Sequence, residues 1–274
     1  MVSITTIIAC VITLLVSLVL PVAVLIGFAL RNKKQGIVSA WLLGAAGFFV
    51  TQMLIRLPIL TVLQSQSWFA VFAQNNLFLY SFGLAFTAGL FELAGRFAVA
   101  KLMEKRLTWK RSLAAGLGHG GIEAMLLIGM TYVNNLVYIV MINTGSFDAM
   151  VAQTAAMGVD VAQLELIRTQ FLTTSPLLFA LAGLERLLAM TGHVAMSMVV
   201  CYGVAHRKVL PCVLICLGIH TLMDLTAGIS LVLPQNLAYP IIYAVLTVMA
   251  VLSLFVIREI FRRWKKEVSH DAEQ

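Results

Sequence analysis

The sequence predicts an all-α, polytopic transmembrane helical bundle of about seven helices. Composition is the first reason: 61% of the 274 residues are hydrophobic, 11% are charged, and the mean hydropathy is +0.96. A water-soluble domain has roughly 45–50% apolar and ~25% charged residues. Second, the apolar residues come in runs of about 20 or more, the length that crosses a hydrocarbon core ~30 Å thick. Third, the basic residues collect in alternate gaps between those runs.

The runs place seven spans at about 4–30, 38–63, 76–100, 112–142, 175–205, 209–232 and 237–258. They are far longer than the ~9–11 residues of a barrel strand, so helices are the element that satisfies their backbone in lipid. Met1–Thr6 carries no positive charge and no small-residue cleavage site follows the first run, which reads as a retained helix. The whole chain, 1–274, reads as a single integral membrane domain with a catalytic-like four-helix core at about 76–232. The longest gap, 143–174, holds Asp148, Asp160 and Glu165 with periodic apolar residues, and is expected to form a short amphipathic helix. The tail, 264–274, turns polar, and from Ser269 onward it is expected to be disordered.

Of the 19 basic residues, all but Arg56, Arg96, Arg168 and Arg186 fall after the first, third, fifth and seventh spans. By the positive-inside rule the C-terminus and its tail are cytoplasmic, and the N-terminus and the 143–174 loop external. A multi-pass protein of a bacterial plasma membrane fits this pattern. The net charge of +7 marks no nucleic-acid partner, because no basic stripe carries interleaved aromatics. Cys10, Cys201, Cys212 and Cys216 lie in or beside apolar runs without a CxxC, so they read as packing residues.

Ionisable residues inside spans each cost ~2.5–3.5 kcal/mol on insertion scales, which makes them functional candidates. Here they recur at helical spacing. Glu92 and Arg96, His119 and Glu123, and His220 and Asp224 are i,i+4 pairs, each on one helix face. Glu185 and His193 are two turns apart, with Arg186 beside them. Counted at 1.5 Å per residue from the basic ends, Glu92, His119, Glu123, His193 and His220 lie roughly 12–21 Å deep. The sequence therefore predicts one cluster of three histidines and two glutamates. Arg96 is read as neutralising a carboxylate and Asp224 as orienting an imidazole. Glu185, Arg186 and Arg56, nearer the outer face, are expected to pair with one another. Gly116, Gly118, Gly120 and Gly121 surround His119 and predict close helix approach. Tyr132, Asn134 and Asn135 are expected at the membrane interface.

An ionised glutamate beside neutral histidines can activate water and donate to a developing oxyanion, chemistry that suits peptide hydrolysis. The same donors also suit zinc, with His119, His193 and His220 as candidate ligands, although HExxH is absent. Serine chemistry has little support: GxSxG is missing, and Ser197 is the only serine placed near a histidine.

Phe91-Glu92…Gly95-Arg96, Gly118-His119-Gly120-Gly121-Ile122-Glu123-Ala124, Glu185-Arg186…His193 and His220-x3-Asp224 together resemble the YhfC family of membrane peptidases. That family is similar to glutamic-type intramembrane proteases, among them the CAAX prenyl proteases and bacteriocin-processing enzymes. The resemblance implies Glu92 as general base, Arg96 as the motif arginine, His119 sharing the water, His220 with Asp224 at the oxyanion, and His193 completing the cluster. It implies a peptide or membrane-protein substrate in the lipid bilayer and no obligatory cofactor, with zinc the alternative. Leu93 departs from the motif, where the family carries a second glutamate. That departure favours a rival reading, a non-catalytic scaffold or substrate receptor. A proton- or ion-coupled transporter is the other rival, against which stands the lack of any inverted repeat. The residues assign no oligomeric state.

Overall fold

The computed structural model describes residues 1–271. Seven helices are long and apolar enough to cross a membrane: Ile4–Arg31, Ile37–Gln64, Leu77–Leu102, Trp109–Thr144, Pro176–Ala205, Val209–Val232 and Gln235–Glu267. The chain is a multi-pass integral membrane protein. Every predicted span is present, within a few residues at its ends except in the seventh. Their outward faces stay apolar: on the last span Val248, Leu252 and Phe255 lie four, then three residues apart and are each more than half exposed. A contiguous surface of this kind is unfavourable in water and matched by lipid tails.

Three spans contain a π-helical stretch, Leu15–Val19, Phe49–Arg56 and Ala124–Gly129. Such wider turns are rare and re-aim the side chains they carry. Two shorter helices, Ser146–Ala156 and Ala162–Thr173, fill the loop where one was expected, separated at Gly158, whose φ is +74°. The last helix runs on to Asp271. Its segment Ile257–Glu267 contains no glycine or proline to stop it, and the helix runs on past Ser269, where disorder was expected to begin. Residues 272–274 of the predicted disordered tail lie outside the described residues.

The chain divides into two compact units. In the first, Met1–Val22 with Ala124–Leu187, the carbonyl of Phe179 accepts from both Thr13 Oγ1 and Tyr132 Oη at 2.8 Å. Tyr132 is therefore buried in protein rather than interfacial, because Phe179 offers its hydroxyl an acceptor there. Glu185 and Arg186 belong to this unit and bond to each other, as do Arg168 and Asp148.

The second unit, Ala23–Glu123 with Leu188–Gln274, is held by small residues at helix crossings. A Cβ on Gly44 would stand 1.9 Å from Ala115 O, and one on Gly118 would stand 1.9 Å from Trp41 O. The second and fourth spans thus touch backbone to backbone, which lipid alone does not drive and which only residues without side chains permit. A Cβ on Gly120 would stand 3.0 Å from His193 Cβ and one on Gly89 3.4 Å from His220 Cβ, so these glycines leave room for two of the cluster's histidines. Gly44→Ala and Gly118→Ala are each expected to lower stability by about 1–3 kcal/mol, as over-packing does. Gly27→Ala and Gly218→Ala, where a Cβ meets nothing within 4 Å, are expected to be neutral or slightly stabilising; thermal unfolding in detergent distinguishes the two pairs.

Candidate functional site

Four spans of the second unit send polar side chains to one buried point. Glu92 and Arg96 come from the third span, His119 and Glu123 from the fourth, His193 from the fifth, and His220 with Asp224 from the sixth. Asp224 lies at the edge, and the other six are each at most 8% exposed. The three imidazoles pack on one another, with His119 and His193 ring centroids 5.5 Å apart and stacked, and His193 and His220 5.5 Å apart and edge-on. Phe48 sets its edge against His119.

Glu92 is the hub. Its Oε2 accepts from Arg96 Nη2 at 3.0 Å and lies 3.0 Å from His119 Nε2. The same oxygen stands 3.6 Å from Nδ1 of both His193 and His220. Arg96 reaches those two rings as well, with Nη2 2.5 Å from His193 Nδ1 and Nη1 3.3 Å from His220 Nδ1. A guanidinium only donates, so both Nδ1 atoms carry lone pairs and both rings hold their proton on Nε2. The far nitrogens lie near carboxylates: His193 Nε2 is 2.8 Å from Glu123 Oε2, and His220 Nε2 is 3.3 Å from Asp224 Oδ2. A carboxylate near the far nitrogen helps fix ring orientation. A cavity of about 10 Å³, lined by Arg96, His119, Ser197 and Cys201 among others, adjoins the cluster and matches one water molecule.

The site residues read from sequence that belong to the second unit, Glu92, Arg96, His119, Glu123, His193, His220 and Asp224, therefore meet. Arg56 departs from expectation. It donates to Leu84 O at 2.7 Å, Gln52 Oε1 at 3.2 Å and Thr87 Oγ1 at 3.3 Å, because counting depth along a helix does not say which face a residue occupies. Gln52 was not among the sequence candidates. Its Nε2 donates to Glu92 Oε1 at 2.7 Å. An inventory of ionisable residues passes over a neutral amide; the i,i+4 spacing of Gln52 and Arg56 is the signal that finds it.

Residues 16–256, a stretch that contains every residue of the cluster, match the family described as YhfC intramembrane metalloprotease. The chain belongs to this family. It is 29% identical over 252 residues to an uncharacterized membrane protein YhfC of Bacillus subtilis (strain 168), covering 90% of this chain and 94% of that one. No solved structure matches it. Membership in the YhfC family places the chain among intramembrane proteases. The donor set is compatible with the metal in the family's description: Glu92, His119, Glu123 and His193 each offer a ligand atom, all within 4.8 Å of one another and all from buried residues. Two imidazoles and two carboxylates are zinc's ordinary partners. Leu93, beside Glu92, is 8% exposed and sits in the apolar core.

Removing the guanidinium would strand buried carboxylates, a loss of about 3–5 kcal/mol for such a pair. Arg96→Leu is therefore expected to be strongly destabilising in chemical or thermal unfolding. Asp148→Asn, which breaks a solvent-facing pair with Arg168, is expected to cost about 1 kcal/mol or less.

Proposed function

We propose that this cluster is the active centre of an intramembrane endopeptidase and that Glu92 is its general base. The observation that carries the reading is the convergence of three imidazoles and a guanidinium on one oxygen, Glu92 Oε2, in a buried site. In this reading Glu92 takes a proton from the attacking water as the water oxygen bonds to the peptide carbonyl. The proton then passes to the leaving amine as the C–N bond breaks. His119, on the same carboxylate oxygen, orients the water. Arg96 and His220, the latter backed by Asp224, face the charge that develops on the carbonyl oxygen. The substrate is a peptide or membrane-protein segment entering from the bilayer.

Zinc fits this site as the cofactor: Glu92, His119, Glu123 and His193 would hold it, and Glu92 would then serve as a ligand rather than as the general base. When bound, the metal would polarise the carbonyl and acidify the water. The metal-free, glutamic-type route is the second reading. What favours it is the Arg96 guanidinium itself, a fixed positive charge already in contact with Glu92, His193 and His220.

Metal analysis of the purified protein, with His119→Ala/His193→Ala as control, separates the two. About one zinc per chain, lost in the control, supports the metal-dependent form, and a folded, active, metal-free protein supports the other. In either case Glu92→Gln is expected to lower the cleavage rate of a membrane-peptide substrate by about a hundredfold or more. Full proteolysis by that variant would sink the assignment of Glu92.

A further inference from the structure

We infer that Gln52 and Arg56 form a polar relay that sets the orientation of the Glu92 carboxylate, with Gln52 as a positioning residue of the active centre. The inference rests on the reading of Glu92 as the catalytic carboxylate, and it begins with the two oxygens of that group. Oε2 faces Arg96 and the histidines, whereas Oε1 is held from the opposite side by Gln52 Nε2 at 2.7 Å. An amide can present either end, and its two neighbours decide which. Arg56 only donates, and its Nη1 lies 3.2 Å from Gln52 Oε1. An ionised carboxylate only accepts. The amide is therefore locked with its oxygen toward the cation and its N–H toward Glu92. A second N–H contact, to Ala88 O at 3.4 Å, agrees with that orientation.

The relay is anchored on the helix that carries its target. Arg56 Nη2 donates to Leu84 O at 2.7 Å and Nε to Thr87 Oγ1 at 3.3 Å. Leu84, Ala88 and Glu92 are successive i,i+4 positions of the third span, so the relay spans two turns of it and returns to Glu92. Both members of the relay sit in the π-helical stretch Phe49–Arg56 of the second span, and Gln52 is 5% exposed. With Oε1 tied, the carboxylate cannot turn, and Oε2 stays with the imidazoles.

Gln52→Met keeps the length of the side chain and removes its polarity, while Arg56→Met leaves the amide without its orienting cation. The carboxylate stretching band of Glu92, assigned by its loss in Glu92→Gln, reads hydrogen bonding at Oε1 without requiring turnover. Both variants are expected to shift that band alike, and the double variant no further. Steady-state cleavage is expected to show kcat down about ten- to hundredfold, as for other residues that orient a catalytic ligand, with KM within about twofold. An unmoved band in Gln52→Met, or additive shifts in the double variant, would overturn the relay. If the band responds as expected but Glu92→Gln still cleaves, the relay stands and the catalytic role of Glu92 is what fails.

Discussion

A carboxylate carried into a membrane span must find donors inside the protein, since neither lipid nor bulk water supplies them. Glu92 has two oxygens to satisfy, and the second unit is arranged around doing so. Arg96 and His119 meet one oxygen and Gln52 the other. Each of these donors needs a second partner of its own. Arg96 also reaches His193 through Nη2 and His220 through Nη1, and Gln52 turns its oxygen to Arg56. The histidines in turn face Glu123 and Asp224. Four helices are thereby tied to a third through one side chain.

Such a network requires helices closer together than bulky apolar side chains allow. Gly44 and Gly118 let the second and fourth spans meet at backbone distance, and Gly89 and Gly120 leave room for His220 and His193. Close packing and polar convergence are thus one constraint. Helices pressed together by small residues bring their buried polar groups within 2.5–3.6 Å, and those contacts offset the cost of burying charge.

The arrangement also bears on how a protease of this family divides its labour. Leu93, next to Glu92, lies on a face of the third span that belongs to the apolar core. Glu123, one turn beyond His119, brings a second carboxylate to the cluster from a different helix. Arg96 is a buried counter-ion to Glu92, and in the proposed active centre its position bears on both metal-dependent and metal-free chemistry.

The seven spans, their approximate ends and the residues that meet in the cluster were legible in the sequence, because hydrophobic run length and i,i+4 spacing are properties of a helix taken alone. Glu92, His119, Glu123, His193 and His220 each announce themselves as an ionisable residue in an apolar run. What the sequence alone did not decide was the pairing between helices. Arg56 looked like a partner for Glu185 and Arg186, yet it turns to Gln52 and Leu84. Tyr132 looked interfacial, yet it closes a hydrogen bond on Phe179. Gln52, uncharged, gave no signal to an ionisable-residue count. These are matters of rotation about a helix axis and of which faces meet. They follow from the glycine contacts and π-helical turns, which exist only once the helices are packed.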